Sequence, residues 1–402
     1  MVLFPASPQA PPATPASLTA RQDRQRLLDL LQAPPNHRPP LLGSPPLVLR
    51  NGRPVAAAAQ WWKQRRPQII EDFDREVYGR VPKLAPYLRW ETTGLIDETV
   101  GGIAVLTKRI VGHVDNSAYP RLSVAMQLTL TTPAAALGPV PIVLVLDRTA
   151  LHPTAPITIP ESDAPGPVPP SSPDWRELVL AKGWGYAVLL PDTLQADNGE
   201  GLTQGIIGLL NRGQPRKLDD WGVLRAWAWG ASRALDYFET NPGVDARRVA
   251  LAGHDHYAHA VAVAFAYDPR FAVALVSSSG EGGLTLPHGN ESEYHRLAGN
   301  FLKFAGAAPV HAPHLLALGA PRPVFLGTGP GEADAREAFL AAVAAGPVYR
   351  LLGKSGLAAE DFPPLDSALL NGGIAFRRPP ASETAAPHWP SFLDFASRYF
   401  TR

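Results

Sequence analysis

The 402-residue chain contains no cysteine and only two methionines. Without a thiol it has no disulfide, no thiolate nucleophile and no Cys-ligated zinc or iron–sulfur site. Charge of a dominant sign is also missing: 37 Lys and Arg stand against 36 Asp and Glu, a formal net charge of +1. No basic field is available to draw in nucleic acid or an anionic membrane, and no Lys/Arg run interleaves with aromatics. Long apolar runs are lacking too. No stretch of about eighteen residues escapes a charge or a proline, so no membrane span is expected. The opening MVLFPASPQAPPATPAS has no basic start and too short an apolar part to read as a signal peptide.

Proline, by contrast, is abundant at 44 residues. It clusters in 5–16, 33–46 and 153–173, which read as extended or loop segments. The remainder is 45% hydrophobic, enough for a sizeable core. LTARQDRQRLLDLLQ (18–32) has leucines at helical spacing. AAAAQWWKQRRPQIIEDFDREVYG (56–79) reads as a longer helix interrupted at Pro67, with a docking face of Trp61, Trp62, Ile69, Ile70, Phe73 and Val77. The expected division is an N-terminal Pro-rich segment with docking helices (1–84) and a main domain (85–402).

From residue 88 the period changes. LRWETTGLI, IAVLTKRIVGHV and RLSVAMQLTLTTP alternate apolar with polar, as half-buried antiparallel strands do. PVPIVLVLD (139–147) is a continuous β-branched run suited to a buried parallel strand. Helical and buried-strand patterns then alternate to the end of the chain. This predicts an α/β protein: a doubly wound, mostly parallel sheet with helices on both faces. Functional loops should lie where parallel strands end, at Asp147, Pro191-Asp192, Gly253–His256, Ser277–Gly280 and Thr328–Asp334. That order and spacing matches an α/β-hydrolase.

VALAGHDHYAHAVAVAF (249–265) has the outline of a strand, a sharp turn and a helix, the setting in which hydrolases present a nucleophile. The central residue is Asp255, which supplies no hydroxyl. Ser277–Ser279 offer hydroxyls, but the sequence identifies no base beside them.

Over nearly its whole length the chain resembles the bacterial glucuronoyl esterases, α/β-hydrolases that cleave esters between lignin alcohols and glucuronic acid on xylan. The blocks that carry the resemblance include PPLVLRNGRPVAAAAQWWKQRRPQIIEDFDREVYGRVP, WGVLRAWAWGASRALDYFETNPGVDARRVALAGH, LLALGAPRPVFLG and FLDFASRYF. The family's nucleophile turn reads Gly-(Cys or His)-Ser-Arg-x-Gly-Lys, against Gly253-His254-Asp255-His256-Tyr257-Ala258-His259 here. The resemblance therefore places Asp255 at the nucleophilic serine, His256 at the oxyanion-stabilising arginine and His259 at a sugar-binding lysine. It places Glu383, in PPASETAAPHW, at the triad histidine, and Arg296 at about the position of a family tryptophan near the sugar. Glu332 and Asp334 are available as the triad acid.

The resemblance implies no cofactor, a monomer, and glucuronoxylan or lignin–carbohydrate fragments as partners; the family is typically secreted or periplasmic, but without a clear signal peptide the compartment is not assigned. With Asp255 at the elbow, serine esterase activity is expected to be lost and a carbohydrate-binding pseudoenzyme results. An alternative stays open. Gly-His-Asp also resembles the elbow of haloalkane dehalogenases and epoxide hydrolases, in which the aspartate attacks carbon and a histidine, here His388, activates water. Asp255 equally suits amide contacts at the following helix N-terminus. A divalent metal held by His256, His259, Asp255 and Glu383 or His388 is compatible with the spacing, which is not diagnostic; no metal is expected. His311 and His314 are assigned to a loop and helix start, Trp227 and Trp229 to the core.

Overall fold

The structure, a computed structural model, describes residues 44–83, 86–148, 174–277, 284, 286, 295–303, 308–329, 331–381 and 388–400. Glu383, the 18–32 pattern and the 153–173 segment lie outside the described residues. Leu42–Arg402 forms one compact unit.

A ten-stranded sheet runs through the described residues: β1 (Leu88–Val100), β2 (Ile103–Val114), β3 (Ala125–Pro133), β4 (Val140–Leu146), β5 (Gly185–Leu190), β6 (Val244–His254), β7 (Val273–Ser277), β8 (Val324–Gly327), β9 (Ser367–Leu369) and β10 (Ile374–Arg378). Their spatial order is β1-β2-β3-β5-β4-β6-β7-β8-β10-β9. The first three strands meander antiparallel onto β5. From β5 to β10 neighbouring strands run parallel, and β9 closes the far edge antiparallel. The order is that of an α/β-hydrolase, with alternating strands at one edge and β-branched runs at the centre, as the sequence pattern requires.

Alternation along β4 shows how both faces are covered. Ile142, Leu144 and Leu146 join one apolar cluster, and Val143 and Val145 join the other. On the first face pack α1 (Arg66–Glu76), α3 (Val223–Thr240), α4 (His256–Tyr267), α5 (Ala312–Gly319) and α6 (Glu332–Leu351), contributing Phe73, Trp227, Val261, Leu315 and Phe339 among others. On the second lie α2 (Trp175–Ala181) and α7 (Trp389–Ser397), with Trp175, Val179, Phe392 and Phe395. Trp227 and Trp229 are buried in the core.

Pro67 does not interrupt the helix in which it lies. A five-residue π-helical turn, Trp61–Arg65, leads straight into α1, and Pro67 is the second residue of α1, directly after the wider turn. Trp61, Ile69, Phe73 and Val77 are buried as the docking face requires, but Trp62 is 46% exposed. Contacts then fix this helix to α4: Arg66 Nη2 donates to the Ala266 carbonyl (3.0 Å) and Tyr267 Oη to Asp74 Oδ1 (2.8 Å). α1 thus belongs to the same body as the sheet.

Candidate functional site

β6 ends at His254 and α4 begins at His256, leaving Asp255 alone in the turn at φ 51°, ψ −125°. A residue with a Cβ rarely adopts this conformation, which costs on the order of 1–3 kcal/mol. Close packing of strand and helix enforces it. A Cβ on Gly253 would come 2.7 Å from the Tyr257 carbonyl oxygen, so only glycine lets α4 approach β6 this closely. The sharp strand–turn–helix expected at 249–265 is present, with an aspartate at its tip.

Backbone bonds hold the turn on both sides. The Asp255 N–H donates to the Ser277 carbonyl (2.9 Å), and the His259 N–H donates to the Asp255 carbonyl (3.2 Å). Beside the carboxylate stands His254, with Nε2 3.4 Å from Asp255 Oδ2; the two side chains are 53% and 36% exposed. His254 Nδ1 lies 3.2 Å from Ser277 Oγ. A base does therefore stand beside Ser277, and it comes from β6 rather than from the serine-rich segment.

His256, the first residue of α4, packs its ring against Tyr257 and Trp227 at 4.3 and 5.8 Å between centroids. Burial holds its imidazole below the usual histidine range, reinforced by the Arg296 charge and opposed by Asp197 and Asp255. Its buried Nε2 makes no hydrogen bond and lies 3.9 Å from Asp197 Oδ2. Asp197 is the hub of this side of the site. Oδ1 accepts from His295 Nε2 (2.7 Å) and Arg296 Nε (2.9 Å), and Oδ2 from Arg296 Nη2 (2.7 Å). Burial opposes its ionisation, but the hydrogen bonds from His295 and Arg296 outweigh it and keep its carboxyl well below the usual range. The sequence reading missed Asp197 and His295. The available signal was the polar QADNG segment beyond the C-terminal end of β5.

A second acidic group, Asp192, stands two residues past the end of β5. It accepts from Tyr257 Oη (3.3 Å), and Arg148 Nε lies 3.7 Å away at the end of β4. Burial raises the Asp192 pKa, opposed by Arg148. The strand ends thus bring together Arg148, Asp192, Asp197, His254–Tyr257, Ser277 and Arg296.

The other expected residues stand as follows. His259 is 3% exposed, with Nε2 2.7 Å from Tyr78 Oη and its ring edge-on to that tyrosine. His388 is 3% exposed and precedes α7, seated so closely on Gly327 that a Cβ there would meet its ring at 2.5 Å. Burial pushes its imidazole down to about 3, aided by the charges of Arg377 and His254. Asp334 is exposed in the first turn of α6, which begins at Glu332. His311 caps α5, with its N–H donating to His314 Nδ1 (3.3 Å). Among the described residues no group of three or more His, Asp or Glu is arranged to hold a metal ion. No helix among them is long and apolar enough to cross a membrane.

Known proteins share this architecture. The family model described as "Glucuronyl esterase, fungi" matches residues 216–298. A CE15 glucuronoyl esterase from Teredinibacter turnerae is similar over 95% of this chain and 100% of its own, at 34% identity and a TM-score of 0.77. A glucuronoyl esterase from Solibacter usitatus is 31% identical, over 88% of this chain and 97% of its own, with a TM-score of 0.75. Carbohydrate esterase MZ0003, from an unknown prokaryotic organism, is 29% identical over 398 residues, 89% of either chain.

Proposed function

The chain belongs to the CE15 glucuronoyl esterase family, and on that footing we propose that it is a carbohydrate-binding pseudoenzyme in which serine acyl transfer at the elbow has been given up. One observation carries this reading: the residue at the tip of the elbow, at φ 51°, is Asp255. Acyl transfer needs a hydroxyl whose proton passes to a base as the oxygen attacks. An ionised carboxylate has no proton to pass and forms no alkoxide. Glu383, in the place the resemblance gives to the triad histidine, changes the same machinery a second time.

The ligands proposed are glucuronoxylan or lignin–carbohydrate fragments, met by His256 and Arg296 at the mouth of the elbow. Both side chains are partly buried and organised around Asp197, so they offer a preformed polar wall at little cost in side-chain ordering. No metal or cofactor is invoked.

A second reading has one observation in its favour. A non-glycine residue is kept at positive φ, which presents the Asp255 carboxylate on the turn as a displacement nucleophile requires. His388, the base assigned to that reading, is buried over Gly327, and this weighs against it.

A single panel separates the two. The protein and Asp255→Ala would be assayed with a benzyl glucuronate ester, a haloacetate and an epoxide, and titrated calorimetrically with glucuronoxylan fragments. The binding reading expects heat of binding without glucuronate-ester turnover, and only a small gain from combining Asp255→Ser with Glu383→His. Halide release or epoxide opening that disappears in Asp255→Ala would establish displacement instead. Absence of both turnover and binding would sink both readings.

A further inference from the structure

β6 and β7 run parallel with His254 directly opposite Ser277 in register. The Ser277 hydroxyl lies 3.2 Å from His254 Nδ1, and the opposite ring nitrogen, Nε2, lies 3.4 Å from Asp255 Oδ2. We propose that Ser277, His254 and Asp255 form a hydroxyl–imidazole–carboxylate relay that hydrolyses short-chain acyl esters, with the nucleophile one strand away from the elbow.

The donor and acceptor chemistry fixes the roles. An ionised Asp255 favours the tautomer with its proton on Nε2, the nitrogen facing the carboxylate. Nδ1 then presents its lone pair to Ser277 Oγ, which is the state a general base requires. The roles are those of a serine hydrolase triad with the two ring nitrogens exchanged. Backbone geometry supports the arrangement: the Asp255 N–H bond to the Ser277 carbonyl ties the two strand ends together, so short side chains on rigid elements hold the reacting atoms. The N-terminus of α4 begins at His256, and its positive end favours anionic charge developing nearby. Ser277 is 7% exposed, and the proposal is confined to small acyl groups such as acetyl.

In the first half-reaction Ser277 Oγ bonds to the acyl carbon and its proton moves to His254 Nδ1. The bond to the leaving alcohol oxygen then breaks, and that oxygen takes the proton from Nδ1. In the second half-reaction water gives a proton to Nδ1 while its oxygen attacks the acyl-serine. Ser277 Oγ leaves, recovers the proton, and the carboxylic acid departs.

The test uses the full chain with diisopropyl fluorophosphate and with 4-nitrophenyl acetate. The expected result is phosphorylation of Ser277, located by peptide mass spectrometry, and abolished in Ser277→Ala and Ser277→Cys. Acetate ester hydrolysis should fall about tenfold or more in Ser277→Ala and His254→Gln, within what general-base assistance contributes. Circular dichroism would establish that each variant is folded, and Ser277→Cys preserves side-chain volume should alanine disturb the strand. No adduct on Ser277 would overturn the proposal. So would equal rates in wild type and Ser277→Ala with only His254→Gln slower, which would assign the hydrolysis to a bare imidazole. A displacement reaction at Asp255 is insensitive to Ser277→Ala, and carbohydrate binding survives failure of the relay, so these results leave the proposed function separately decidable.

Discussion

Asp197→Asn isolates the ionic hub of the site. The wild-type carboxylate accepts from His295 Nε2 and twice from Arg296, at 2.7–2.9 Å, with its side chain and that of Arg296 each 18% exposed. Asparagine keeps the shape, removes the charge, and can turn an NH₂ group toward guanidinium donors. The loss should be on the order of 2–4 kcal/mol, between a single charged hydrogen bond and a broken buried pair. At about 2.1 cal/mol/K of unfolding entropy per residue over Leu42–Arg402, Tm falls by about 3–5 °C. The pH dependence supplies the sharper check. The folded-state pKa of Asp197 is depressed, so its contribution is fully present above the ordinary carboxylate pKa of about 3.9 and is lost as pH falls toward the folded value. Scanning calorimetry should therefore show a constant gap between wild type and variant from pH 7 to about 5, closing below about 4. A Tm unchanged within a degree at pH 7, or a gap that persists undiminished to pH 3, would refute the reasoning.

Gly253→Ala pushes a methyl group toward the Tyr257 carbonyl at 2.7 Å and should cost about 3 kcal/mol or more; wild-type urea stability in that variant would contradict the close-packed elbow. His314 and His388 are each pushed by burial from 6.5 to about 3. Between those values the unfolded chain binds protons the folded one does not, so stability falls with falling pH by about 1.4 kcal/mol per unit for each histidine. His388→Gln should flatten the slope measured by urea denaturation between pH 6 and 4, and an unchanged slope would count against a buried neutral imidazole there. Tyr78→Phe removes the buried partner of His259 Nε2 and should cost about 1–3 kcal/mol, read as a lower Tm; an unaltered Tm would show that the contact contributes nothing.

Much of the fold was legible because its signals are local. Continuous β-branched runs such as PIVLVL suit a buried strand, and Gly253 among small residues announces a tight turn. The site was legible at 253–256 and at the strand ends Asp192 and Ser277, where chemistry follows the chain, and at Arg296 through the family resemblance. Asp197 meets Arg296 across 99 positions, and Ser277 meets His254 across 23. Both meetings depend on strand order and register, which periodicity does not encode. Reading His388 as a base for Asp255 failed to anticipate its seat against Gly327, because nearness in sequence to a functional segment says nothing of which way a ring is driven by packing.

The π-helical turn at Trp61–Arg65 acts as a phase shifter. At about 100° per residue, an unbroken α-helix would bring Trp62, seven positions before Ile69, almost into line with it and leave Trp61 about 80° away. The extra residue absorbed by the turn hands the inward position to Trp61 and rotates Trp62 out to solvent. Phe73, about 40° further round than Ile69, lies on the same face. Deleting one residue between 61 and 65 would place Trp61 seven positions before Ile69, so a regular α-helix would keep Trp61 inward without the wider turn and leave Arg65 Nε at the Pro46 carbonyl it now meets at 2.9 Å.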